Sequence, residues 1–184
     1  MTASYSIPYK AFSQDTAAIR EELIGVFEKV LDSGRYVLGP EVSAFEKEFA
    51  TYCGTKWAAG TGSGTCALHL VMQGLCFKEG DEVITAPNSF IASASSIALA
   101  GGRPVFVDIR TDGNIDPALI EDAITSRTRG IVPVHLTGRP ARMPEIMEIA
   151  RRHNLFVLED AAQAVGARID GRPVGGWGDA ACFS

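Results

Sequence analysis

The sequence contains no run of 18 apolar residues, so it predicts no membrane-spanning helix. Its four cysteines, Cys53, Cys66, Cys76 and Cys182, form no CxxC pair, and its three histidines, His69, His135 and His153, are scattered. That pattern lacks the spacing of a zinc site and predicts no metal. The cysteines are expected to stay reduced and to act as small hydrophobes. Positive charge is scarce too: 17 Lys and Arg stand against 22 Asp and Glu, a net charge of −5, which argues against a nucleic-acid-binding face. The opening "MTASYSIPYKAFSQD" lacks the apolar centre of a signal peptide. The expected location is therefore the cytoplasm, with neither membrane nor nucleic acid as a partner.

What is present is rhythm. Ile19, Leu23, Val26, Phe27, Val30 and Leu31 recur at helical spacing within 15–33, and Gly34 stands where a helix-ending glycine belongs. Gly39–Pro40 breaks the chain before a second helix with Val42, Phe45 and Phe49 on one face, closed by Gly54. From Trp57 onward, short apolar runs alternate with helical patterns. The spacing predicts strands at 57–60, 82–86, 104–108, 130–134 and 155–159, and helices at 64–77, 90–100, 116–125 and 143–153. This is the period of repeated strand–helix units, so the expected fold is α/β, with a mostly parallel central sheet and flanking helices. Asp116–Pro117 reads as an N-cap followed by proline at the first helical position. Asp170–Gly171 reads as a hairpin turn. The closing "GDAACFS" is apolar where a chain end is usually polar and frayed, so it is expected to be a buried strand with more chain to follow.

In such a sheet, ligands bind outside the carboxyl ends of the strands. After 57–60 comes Gly60-Thr61-Gly62-Ser63-Gly64-Thr65, opening a helix. Free N–H groups at a helix start favour an anion, and glycine lets the backbone approach it. The alternative is a plain tight turn. No Gly-Lys-Ser/Thr follows, which excludes a Walker loop. The G-x-G-x-x-A match is weakened because its acidic partner, Asp81 or Glu82, precedes its strand instead of following it, which argues against a dinucleotide. Asp160 follows an apolar strand and needs a cationic partner there; it is either the N-cap of the next segment or a carboxylate that holds a proton on a ligand nitrogen. Glu159, alternating to the other face, is expected to cap or to be solvated, and His135 to be a hydrogen-bonded histidine near the strand ends. A phosphate site, a ring-facing acid and the aromatic Phe90 on one edge together suggest pyridoxal 5′-phosphate.

Four stretches, "SGRYVLGPEVSAFEKEFATYCG", "GSGTCALHL", "GDEVITAPNSFIASASSIALAGGRPVFVDI" and "VPVHLTGRPARM" with "VLEDAAQAVGA", resemble the DegT/StrS-type nucleotide-sugar aminotransferases, which are fold-type I enzymes dependent on pyridoxal 5′-phosphate. The resemblance runs from about Pro8 to Ser184. It implies that Gly64, Thr65 and Cys66 bind the cofactor phosphate, that Phe90 stacks on the ring, that Asp160 pairs with the ring nitrogen, that Gln163 lies near the ring and its oxygen, and that Ser184 contacts the phosphate. It also implies a Schiff-base lysine a few residues past that serine, which is not in the sequence; Lys10, Lys29, Lys47, Lys56 and Lys78 all precede Asp160. The chain is thus expected to be an N-terminal helical segment (1–35) and the first part of a cofactor-binding large domain (36–184), without the remainder of that domain or a C-terminal small domain, and inactive by itself. The implied reaction moves an amino group from glutamate to a nucleoside-diphosphate keto-sugar in a homodimer. Two other readings are a lysine-lacking sugar dehydratase and a short inactive or regulatory relative.

Overall fold

The computed structural model describes residues 16–184; Pro8, Lys10 and the first residue of the expected 15–33 helix lie outside the described residues. Two compact units divide the chain, one ending at Ala44 and the other spanning Phe45–Ser184. In the first, helix α1 (Arg20–Ser33) carries Glu21 and Glu22 in its first turn, where they complement the helix dipole. It ends on Gly34 at φ +63°, whose N–H reaches the Leu31 carbonyl. The apolar row read from the spacing is helical, but no residue of α1 is buried. Helix α2 (Pro40–Cys53) runs across the boundary between Ala44 and Phe45 and is followed by Gly54 at φ +69°.

The second unit is built on strands β1 (Glu82–Thr85), β2 (Arg103–Phe106), β3 (Thr128–Val132), β4 (Phe156–Asp160) and β7 (Ala180–Cys182), in the order β2-β1-β3-β4-β7. All four pairings are parallel. Helices α3 (Gly64–Gly74), α4 (Ala92–Leu99), α5 (Pro117–Ile120) and α6 (Met143–His153) connect and cover them. Successive strand residues feed opposite faces. Ile84, Ile131 and Val157 join one core with Met143 and Ile146, while Val83, Val132 and Leu158 join another with Leu68 and Ile97. Burial on both faces explains why β1, β3 and β4 read as continuous apolar runs, whereas β2, at the sheet edge, is half-buried to exposed. Strands β5 (Arg168–Ile169) and β6 (Arg172–Pro173) form the expected hairpin, with Asp170 and Gly171 at positive φ of 49° and 80°.

Residues 57–60 do not form the expected strand. A strand exists through its ladder, and this segment meets a side chain instead: the Gly60 N–H donates to Glu46 Oε1 at 2.7 Å. The 116–125 helix is also shorter than expected. The Asp116 side chain caps Ala118 N, but the α-helix gives way after Ile120 to a 3₁₀ turn at Glu121–Ala123, where Glu121 turns to Arg152 and His153. The cysteines are all free, but only Cys53 and Cys182 are buried as small hydrophobes; Cys66 and Cys76 are exposed. Among the described residues no helix is long and apolar enough to cross a membrane.

At the amino ends of the strands, Glu82 is shielded from solvent and accepts from Thr125, Arg103 and Arg127. Neighbouring Asp81 pairs with Arg129 at 3.0 Å. Both acids are spent on structure, at the edge opposite the glycine-rich turn. Above all the Thr125 hydroxyl, then Arg103, hold the Glu82 carboxyl down to about 2 from the usual 4.5. Because the folded value is depressed, the stability from this group is complete above about pH 4.5 and is lost as pH falls towards 2. Urea unfolding of wild type and Glu82→Gln should therefore differ most near neutrality, with the gap closing through that acid window.

Candidate functional site

Parallel strands bring their carboxyl ends to one edge, and the sheet order reverses between β1 and β3, which opens a crevice there. Four chain segments converge on it: Ser89 and Phe90 after β1, Val134 and Leu136 after β3, Asp160, Ala162 and Gln163 at the end of β4, and Ser184 after β7. With Ser63, Gly64 and Thr65 at the start of α3, they line a cavity of about 160 Å³. A larger concavity of about 340 Å³ sits near the amino end of β1, lined by Leu75, Cys76, Phe77, Lys78, Asp81 and Arg129. Its acid is already bound by Arg129 and by the Lys78 N–H.

At the anion end, Ser63 is the N-cap of α3, and its hydroxyl oxygen accepts from Cys66 N at 3.1 Å. The Ala67 N–H goes to the Ser63 carbonyl. The N–H groups of Gly64 and Thr65 therefore have no acceptor among the described residues and remain available to an anion. Cys66, expected beside them, has its N–H engaged by the cap and does not line the cavity. A Cβ on Gly64 would stand 3.0 Å from Ser184 Cβ and 3.4 Å from its Oγ. A side chain at position 64 would press Ser184 away from the helix start by a few tenths of an ångström.

At the other end, Asp160 is the last residue of β4 and is 5% exposed. Ser93, 1% exposed on α4, donates to its Oδ2 at 2.7 Å, and Ala162 N–H approaches Oδ1 at 3.3 Å. A carboxylate only accepts, so the Ser93 proton points to Asp160, and the Ser89 hydroxyl, 2.8 Å from Ser93 Oγ, supplies the proton for that contact. Behind Asp160, burial and then the carboxylate push the Cys182 thiol up to about 12, so it stays protonated and inert. Phe90 is 71% exposed at the cavity rim and is not part of the core formed by the described residues. Gln163 Oε1 accepts from Thr137 N–H at 2.7 Å, which leaves its amide N–H₂ as the free end.

His135 is fully buried and hydrogen-bonded, as expected, with Nε2 on Glu159 and Nδ1 accepting from Ala141 N. Glu159 differs from the solvated reading: its exposure is 0%, and its role is to hold buried backbone. Sequence reasoning also missed Ser89 and Ser93. Their signal was a row of hydroxyls at 89, 93 and 96, spaced along one helical face. Asn114 was missed as well; it fixes the loop after β3 by bonding Arg139 O, Pro140 O and Leu136 N. Among the described residues no cluster of His, Cys, Asp and Glu suits a metal ion.

The dTDP-3-amino-3,4,6-trideoxy-alpha-D-glucose transaminase of Streptomyces venezuelae is 46% identical over 97% of this chain and 47% of its own length. The crystal structure of S. venezuelae DesV in complex with a ketimine intermediate superposes with a TM-score of 0.94 and 45% identity, covering 98% of this chain and 49% of that one. NtdA from Bacillus subtilis, solved with bound PMP, gives a TM-score of 0.86 at 36% identity over 95% of this chain and 41% of that one. The chain thus spans about half the length of the relatives it matches. With residues 17–184 matching the family as a whole, the chain belongs to the DegT/DnrJ/EryC1/StrS aminotransferase family.

Proposed function

We propose that these residues form the cofactor-holding part of a pyridoxal 5′-phosphate-dependent enzyme that transfers an amino group, from glutamate, to the ketone of a nucleoside-diphosphate keto-sugar. The observation that carries this reading is the meeting, in one cavity, of two N–H groups at a helix start and a buried carboxylate that have, among the described residues, no acceptor and no cationic partner respectively. The family match and the solved relatives support it.

The donor set fits that cofactor. Gly64 N–H, Thr65 N–H and the hydroxyls of Thr65 and Ser184 would hold its phosphate, with the helix dipole adding attraction. Cys66 would contribute only to the shape of the turn. Phe90, at the rim, would cover one ring face. Asp160 would hold a proton on the ring nitrogen, its own charge kept in place by Ser93. Gln163 would offer its amide N–H₂ to the ring oxygen, because its carbonyl end is engaged by Thr137. When bound, the cofactor supplies an electron sink at the carbon that exchanges the amine.

On the same reading, the N-terminal helical segment expected at 1–35, of which residues 1–15 lie outside the described residues, precedes 36–184 as the first part of the large domain. No lysine among the described residues lines the cavity, so the lysine that links the cofactor would lie in the remainder of a family-length protein, and residues 1–184 alone would be inactive. The reading also includes a cytoplasmic homodimer, for which sedimentation of the full-length protein is the measurement.

Incubating the full-length protein with pyridoxal 5′-phosphate, glutamate and a nucleoside-diphosphate keto-sugar should yield the amino sugar and 2-oxoglutarate by mass spectrometry; failure to bind the cofactor would overturn the reading. Asp160→Asn should lower turnover roughly 10²- to 10³-fold, the scale for losing one group that stabilises charge in the reaction. Near-normal turnover would remove Asp160 from the role. Thr65→Ala should weaken cofactor retention roughly ten- to a hundredfold by equilibrium dialysis, the worth of one hydrogen bond to a charged group, with little change in turnover once loaded.

A further inference from the structure

On β4, Glu159 and Asp160 are adjacent and so face opposite sides of the sheet. Asp160 lines the cavity, whereas Glu159 is sealed beneath it at 0% exposure. Its carboxylate is saturated by four donors. Oε2 accepts from His135 Nε2 at 3.0 Å and Gly175 N at 2.8 Å; Oε1 accepts from Trp177 N and Gly178 N, each at 2.8 Å. Burial pushes this carboxyl up, but the His135 bond, followed by the N–H groups of Gly178 and Gly175, outweighs it and leaves the carboxyl below the usual range.

Each donor belongs to a segment that carries a cavity residue. Gly175 to Gly178 lead directly into β7, which pairs with β4 in the register Leu158–Ala180, Glu159–Ala181 and Asp160–Cys182 and then delivers Ser184 to Gly64. The approach is tight: a Cβ on Gly178 would stand 2.6 Å from Val157 O. His135 begins the loop after β3. Because its Nδ1 accepts from Ala141 N, its ring proton lies on Nε2, directed at Glu159. The same loop presents Thr137 N–H to Gln163.

The geometry points to Glu159 as a positioning residue: a buried carboxylate under the sheet that sets where Ser184 stands relative to Gly64 and Thr65, and so sets the affinity of the site for a phosphate group. This rests on the functional reading given above. Glu159→Gln keeps the shape but turns an N–H₂ towards two of the four donors, whichever way the amide is oriented. The segment before β7 then loses part of its anchor, and Ser184 moves off the helix start.

The test compares the affinity of the full-length protein for pyridoxal 5′-phosphate and for pyridoxal, which lacks the phosphate. The ratio of the two dissociation constants isolates the phosphate subsite from general loss of stability. Glu159→Gln should reduce the phosphate preference about tenfold, the scale of one hydrogen bond to a charged group. Ile146→Ala, a core deletion outside the cavity, should lower the melting temperature and leave the ratio unchanged. If Glu159→Gln does not fold, His135→Gln removes one anchor only and should reduce the ratio by a smaller amount. A wild type with no preference for the phosphorylated form would overturn the functional reading itself. A wild type with the preference, retained in Glu159→Gln or in His135→Gln, would overturn the role of Glu159 alone.

Discussion

Strand β4 ends in two adjacent carboxylates, and neither can be left unpaired inside a protein. The strand geometry sends them to opposite faces, so the structure must provide for each separately. Glu159 has four donors and faces no ligand. Asp160 has one short hydroxyl contact and one longer N–H contact, with its remaining capacity turned to a cavity. That asymmetry separates the two: one carboxylate is consumed in holding loops, and the other faces the cavity.

The anion end follows a similar economy of donors. Ser63 caps Cys66, and the Ser63 carbonyl takes Ala67, which leaves the N–H groups of Gly64 and Thr65 free. A phosphate placed there meets backbone donors that need no reorganisation. The side chains that refine the site, Ser184 and Gln163, arrive on separate segments, and both segments are tied back to β4. The rings of Phe183 and Phe49, centroids 5.0 Å apart in an edge-to-face contact, steady the last of these segments from the side.

Much of this was legible in the sequence because the relevant signals are local. The apolar runs at 82–86, 130–134 and 155–159 mark strands buried on both faces, Gly34 and Gly54 mark helix ends, and Asp170–Gly171 marks a hairpin. Residues 57–60 were misread because an apolar run has no ladder unless another strand lies beside it, which is not a local property. The helix after Asp116 was also read too long: it passes after Ile120 into a 3₁₀ turn at Glu121–Ala123, where Glu121 pairs with Arg152 of α6.

The sequence by itself determined the parallel strand–helix order, and hence that Phe90 and Asp160 fall on one edge, because that placement needs only the direction of each strand; Gly64 follows no strand and meets Ser184 there through a tertiary contact. Only the tertiary structure decided which N–H groups are free, which end of Gln163 faces the cavity, and that Ser93 serves Asp160 while His135 serves Glu159. The Gln163, Ser93 and His135 assignments depend on contacts between residues 24 to 67 positions apart, where distance and direction, not residue type, determine which donor meets which acceptor.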